Sequence, residues 1–121
     1  MNDYDAISET VFHYCEGYRN KDRERLEKAF ALEVAHMIGY IKDEEGNLKL
    51  FSTAMRDAID QWVQTEYTPF DFGEGKILSV DIYSGISATV LFDFGGKYVE
   101  RYLLAKIDGT WQIVNKFIVN P

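Results

Sequence analysis

Apolar residues recur at helical spacing through the first third of the chain. Ile7, Val11, Tyr14, Cys15 and Tyr18 fall on one stripe, which predicts an amphipathic helix with Asn2 or Asp3 as its cap. Gly17, near the end of that stripe, permits a close backbone contact or a helix stop. Asp22 is placed to cap a second, short helix whose buried side carries Leu26, Ala29 and Phe30. The period then changes. Residues 35–41 are mostly apolar, 42–47 are charged and contain Gly46, and 48–51 are largely apolar again, which reads as a hairpin. Ser52 reads as the N-cap of a third helix with Met55, Ile59, Trp62 and Val63 on one face, and Pro69 would stop any continuation.

From Lys76 onward the pattern is β. Ser84-Gly85, Gly95-Gly96 and Asp108-Gly109 are turn signals separating runs at 76–83, 86–94, 97–107 and 110–119. Strands joined by such short turns pair antiparallel, so the C-terminal half is expected to be a meander. The order α, α, ββ, α, ββββ predicts an α+β fold, a curved, mostly antiparallel sheet wrapped around the N-terminal helices.

Composition narrows the function classes. The 121 residues suit one domain spanning 1–121, and 46% hydrophobic content makes disorder a poor reading. Thirteen basic against twenty acidic residues give a net charge of −7, which argues against nucleic-acid binding and against docking on an anionic membrane. No apolar run approaches a membrane span, and the acidic start Met1-Asn2-Asp3-Tyr4-Asp5 predicts no secretory leader. Cys15, the one cysteine, allows no internal disulfide and points to a reducing, cytoplasmic setting. With His13 and His36 it is too little for a structural zinc site, so no metal or other cofactor is expected. Aromatic residues reach 15%, which fits either an aromatic core or a cavity lined for a flat ligand.

Three stretches carry a family resemblance. They are Val11, Tyr14, Gly17, Asp22, Leu26 and Ala29-Phe30; residues 77–82 before the run 86–94; and residues 104–116, Leu-Ala-Lys-Ile-Asp-Gly-Thr-Trp-Gln-Ile-Val-Asn-Lys. Together they resemble the nuclear transport factor 2-like superfamily, the cystatin-like or ketosteroid-isomerase-like cone, and within it the putative lumazine-binding group. The resemblance implies a sheet wrapped around the first helix with a cavity at its open end, and dimers formed through the outer sheet face. Relatives carry a His-Pro-Asp-Ala-like turn after the second helix; here residues 31–34 read Ala-Leu-Glu-Val, without that polar group near the pocket mouth.

Strand alternation sorts the candidates for such a cavity. With Trp111 and Ile113 inward, Asn115 and Phe117 follow, and Gln112, Val114, Lys116 and Ile118 face out. Tyr98, Glu100, Tyr102 and Leu104 share the more aromatic face of their strand and are assigned inward. His36, Ile38 and Tyr40 share a face. Tyr14 and Tyr18, four apart on one helix, reach the same space, with Trp62 as wall. Glu100 could be a buried acid that moves a proton, or a surface ion-pair partner of Arg101 or of a lysine on a neighbouring strand. His36 could be a general base or a hydrogen-bond donor to ligand, or a strand histidine on the outer face or satisfied in the wall. The pair His36 and Glu100 is the catalytic candidate. Tyr14, Tyr18, Tyr40, Trp62, Tyr98, Tyr102, Asn115 and Phe117 are the ligand-binding candidates. No phosphate loop, nucleophile elbow or zinc spacing is present.

The outer face would present Val99, Leu103, Ala105, Ile107, Val114 and Ile118, a patch that a second copy would cover, making a homodimer. Three functions remain open. The first is a small-molecule-binding cone for a planar or polycyclic ligand, with catalysis undecided. The second is a cofactor-independent lyase or isomerase working by proton transfer. The third is a dimeric interaction module with a filled cone.

Overall fold

The computed structural model describes residues 1–65 and 73–119. Helix α1 spans Asp3–Asn20, and Asn2 caps it by accepting from the Asp5 backbone N–H at 2.8 Å. It ends where Lys21 turns left-handed (φ 53°) and the Asp22 N–H returns to the Gly17 carbonyl at 2.9 Å. Helix α2, Arg23–Ala29, is capped by Asp22 as its sequence anticipates. Gly17 resolves as a close contact. A Cβ there would lie 2.9 Å from Leu26 Cγ, so α1 and α2 meet at a spacing that only glycine allows.

Strands β1, His36–Lys42, and β2, Leu48–Ala54, form the expected hairpin. Asp43 organises its turn by accepting from the Glu45 and Asn47 N–H groups at 2.9 and 2.8 Å. Helix α3, Met55–Gln64, starts later than Ser52 predicts. Pairing of Ala54 with His36 carries β2 past the serine, and α3 begins at Met55 with Ala54 in the cap position and no side-chain cap bond. The anticipated stop at Pro69 lies outside the described residues. Strands β3, Lys76–Tyr83, β4, Ser87–Phe94, β5, Tyr98–Ile107, and β6, Thr110–Val119, form the meander.

The six strands make one sheet in the order β2-β1-β6-β5-β4-β3. Every pair is antiparallel except β1 with β6, which brings the first hairpin alongside the last strand. The fold is therefore α+β with a mixed, mostly antiparallel sheet. Its inner face packs on α1: Ile7, Val11, Tyr14 and Cys15 meet Val90, Phe92, Tyr102, Trp111 and Ile113 in one buried core. Trp111 faces α1 as anticipated, its indole N–H donating to Asp3 at 3.0 Å while its carbonyl accepts from Thr10 at 2.9 Å.

Two irregularities in the ladders redirect side chains. One extra residue, Leu78, bulges from β3, and another, Val114, from β6. Leu104 pairs with Ile113 but Leu103 with Asn115, so β6 changes face across Val114. Beyond the bulge Lys116 lies opposite Tyr102, and Ile118 opposite Glu100. Lys116 and Ile118 thus point inward, whereas Asn115 and Phe117 point outward, the reverse of simple alternation.

Candidate functional site

The centre of the cone holds a charged cluster inside an otherwise aromatic core. Glu100 and Lys116 are buried to 2% and 1% residual exposure. Their charged ends, Lys116 Nζ and Glu100 Oε2, are 3.2 Å apart. Tyr102 donates its hydroxyl to Glu100 Oε1 at 2.7 Å, and Tyr14, reaching across from α1, donates to the same oxygen at 3.3 Å. Lys116 Nζ also lies 3.5 Å from the Met37 sulfur and above the rings of Tyr14 and Trp62, at 5.3 and 5.6 Å from their centroids.

Local folding explains how five elements converge here. Tyr14 lies on the apolar stripe of α1. Glu100 and Tyr102 are two apart on β5 and share its inner face. The Val114 bulge turns Lys116 toward them, and β1 sets Met37 directly opposite Lys116. Trp62, near the end of α3, is half-buried and stacks on Tyr14 with centroids 6.0 Å apart, while Tyr18 meets it edge-on at 5.0 Å.

Burial dominates the electrostatics. It pulls the Lys116 ammonium below the ordinary lysine range, with the Glu100 carboxylate opposing that shift. It raises the phenols of Tyr14 and Tyr102 well above the usual tyrosine range, and the charge of Glu100 adds to the rise. The cluster thus keeps two neutral phenols as donors around one carboxylate. The Cys15 thiol is pushed up to about 11, first by burial, so it stays an uncharged packing residue.

Of the anticipated ligand residues, Tyr14, Tyr18, Trp62 and Tyr102 come together at this cluster, and Tyr98 packs half-buried against the same core. Three others do not. Tyr40, Asn115 and Phe117 lie on the outer face, where the Tyr40 and Phe117 rings meet at 5.9 Å. His36 is exposed on that outer face, its Nδ1 3.0 Å from the Val34 carbonyl. It pairs with Asn115 on the side of the sheet away from Glu100, so no ligand atom can touch both. Both corrections have one cause: the bulge shifts β6, and β1 follows β6 through their parallel pairing. Lys116, expected to face outward, is the residue that alternation missed. The available signal was Glu100 itself, since a carboxylate turned inward requires a cation within reach.

A separate open depression of about 520 Å³ lies over Phe30, Leu32, Val34, Arg56, Ile107 and Gln112. None of the four cluster residues lines it. Among the described residues no group of His, Cys, Asp or Glu side chains is arranged to hold a metal ion. None of their helices is long and apolar enough to cross a membrane.

Comparison with known proteins agrees with this architecture. Residues 2–118 match the family described as "Putative lumazine-binding". An NTF2-like protein of unknown function from Methylobacillus flagellatus is similar at 26% identity and a TM-score of 0.73, over 98% of this chain and 92% of that one. A second, from Shewanella baltica, has 24% identity and a TM-score of 0.72, over 96% and 91%. A domain of unknown function with a cystatin-like fold, from Nostoc punctiforme, has 16% identity and a TM-score of 0.69, over 98% and 77%. No curated protein matches the chain.

Proposed function

This chain belongs to the putative lumazine-binding family of the nuclear transport factor 2-like superfamily, and from that premise we propose that its cone binds a planar or polycyclic small molecule over the Glu100–Lys116 cluster. The observation that carries the reading is the ion pair itself. Two charges withdrawn from water are a poor source of stability compared with apolar side chains of the same volume. A binding site gives them a use, because a desolvated ammonium and two phenols supply strong, fixed hydrogen-bonding groups to a ligand. Trp62, half-buried beside Lys116, and Tyr18, half-buried and edge-on to Trp62, supply flat surfaces for stacking. The family's description names a lumazine, a flat heteroaromatic bicycle with carbonyl oxygens, and that shape and polarity suit these groups.

A second reading, proton-transfer catalysis of the lyase or isomerase type, is favoured by one specific contact. Glu100 sits within hydrogen-bonding distance of both a phenol and an amine, so a proton can be held on either side of it. His36 plays no part in this version.

The outer sheet face is assigned to self-association. Val99, Leu103 and Ile107 are 45%, 45% and 39% exposed there, and Tyr40, Leu50 and Phe117 extend the surface across β6 to the first hairpin. A second copy would remove this patch from water. Leu103→Lys should shift the chain to a monomer by sedimentation; an unchanged mass would refute this face.

The binding reading is tested by thermal shift and calorimetry against pterins, flavins and aromatic ketones. A ligand bound only by the folded chain raises the melting temperature. The shift should vanish in a Glu100→Leu/Lys116→Met double variant, which keeps the volume and loses the charges. A shift that survives the double variant places the ligand elsewhere.

A further inference from the structure

We infer that Lys116 is an amine nucleophile, and that the ligands of the cone include planar aromatic aldehydes or ketones that it captures as an imine. This rests on the cone being a ligand site and adds the class of compound and the bond formed.

Lys116 is the only buried lysine of the eight in the chain. Its Nζ makes one strong contact, to Glu100 Oε2 at 3.2 Å, and one weak contact, to the Met37 sulfur at 3.5 Å. Among the described residues, the rings of Tyr14 and Trp62 also lie against it. Of these two, Tyr14 is wholly buried, whereas Trp62 on α3 is half-buried. Both oxygens of Glu100 are occupied on their own sides, Oε1 by the two phenols and Oε2 by the amine.

Proton transfer within this pair makes the amine reactive. Moving one proton from Nζ to Oε2 converts the ion pair into a neutral amine and a neutral acid. Outside water that exchange costs far less than it does in water, since neither product needs solvation. Burial, which holds Lys116 below its ordinary range, acts in the same direction. The Nζ lone pair then adds to the carbonyl carbon, and the carbonyl π pair moves to oxygen, which takes the proton from Glu100. The adduct is a carbinolamine. Glu100 next accepts a proton from nitrogen and returns it to the hydroxyl, which leaves as water as the C=N bond forms. Aldehyde plus ammonium gives water plus a protonated imine, which pairs with the Glu100 carboxylate, with no change of oxidation state and no further reactant. Tyr14 and Tyr102 hold the carboxylate in position between the two transfers.

The test uses the full chain with 2-naphthaldehyde and sodium cyanoborohydride near neutral pH, followed by peptide mapping. Reduction converts an imine into a stable secondary amine on the lysine that formed it. Lys116 should be alkylated at least about tenfold faster than any of the seven other lysines. Glu100→Gln should slow that site by on the order of 10²-fold, with the other lysines unaffected. In parallel, 2-naphthalenemethanol, which cannot form an imine, is measured by thermal shift. Alkylation spread over other lysines with Lys116 untouched, while the alcohol still stabilises the protein, overturns the nucleophile and leaves the binding site standing. Lys116 untouched with no shift from the alcohol overturns both. If Glu100→Gln fails to fold, the site selectivity within the unmodified chain decides alone.

Discussion

Arg23 and Asp60 approach to 2.7 Å on the surface, closer than the 3.2 Å between Lys116 and Glu100, yet the two ion pairs have opposite consequences. The surface pair joins α2 to α3 with both side chains nearly half exposed, at 44% and 48%. Water screens it, and either charge released from it is simply hydrated. The interior pair has no such refuge, at 1% and 3% side-chain exposure. Distance therefore says little about what an ion pair contributes; the alternative available to each charge decides it. On the surface the alternative is water. In the cone it is an unpaired charge among rings, and that constraint holds the cluster in one geometry whether or not it adds stability.

Breaking the interior pair from one side should give the largest effect. Lys116→Ala leaves Glu100 buried without its cation and should destabilise the chain by about 3–5 kcal/mol in urea denaturation. Replacing both partners, Glu100→Leu with Lys116→Met, should be close to neutral or stabilising, although two charges are lost instead of one. A single variant within about 1 kcal/mol of the parent would mean that water reaches the cluster, and the contrast with Arg23–Asp60 would collapse.

The next largest effect lies in the phenols. Tyr102→Phe removes a 2.7 Å hydrogen bond to a charged acceptor and should cost about 1.5–3 kcal/mol. Tyr14→Phe removes a 3.3 Å bond to the same oxygen and should cost less. Equal losses would show that Glu100 is held by packing and not by its donors.

Much of the scaffold is legible in the sequence. Asn2 and Asp22 act as caps because the residues following them are periodic and their short side chains reach the free N–H groups of a first turn. Asp108-Gly109 turns with φ of 49° and 81°, which the pair adopts at little cost. The inward turn of Glu100 and Tyr102 also followed from alternation. Lys116 did not, because the bulge at Val114 inserts one ordinary valine and leaves no mark in composition. A one-residue slip inverts every later side chain, so Asn115, Phe117 and, through the β1 pairing, His36 and Tyr40 moved to the outer face together. Ser52 misled for a different reason. Its cap-like character was overridden by pairing of β2 to β1 through Ala54, a tertiary preference that local sequence does not display.

Titration gives the interior amine a signature of definite sign. Burial lowers Lys116 in the folded chain, so between its folded value and the ordinary 10.5 the unfolded chain binds more protons, and stability rises with pH. The groups facing it are Tyr14 from α1 and Glu100 and Tyr102 from β5. The two phenols, raised on folding, act oppositely above their ordinary 10.0. Cys15, raised to about 11 from 9.0, also lowers stability as pH climbs past 9. Against Lys116→Met, in which Cys15 and the phenols remain, the parent's urea midpoint should climb on the way up to pH 10.5; parallel curves throughout would show that burial does not act on this amine.

The smallest effect belongs to the shorter contact. Asp60→Ala deletes the 2.7 Å partner of Arg23, whose guanidinium then turns to water or to Glu27, 3.8 Å away on its own helix. The replacement also favours α3 slightly, since alanine is the better helix former. Double-mutant cycles on exposed pairs of this kind give about 0.2–1 kcal/mol, and raising the salt to 1 M should remove most of it. The corresponding cycle on Glu100 and Lys116 should be several times larger and nearly independent of salt, because no counter-ion can approach either charge. If the Arg23–Asp60 cycle exceeds the interior one, the surface pair is locking α2 to α3, and the rigidity credited to the cluster in the cone would belong to the helices outside it.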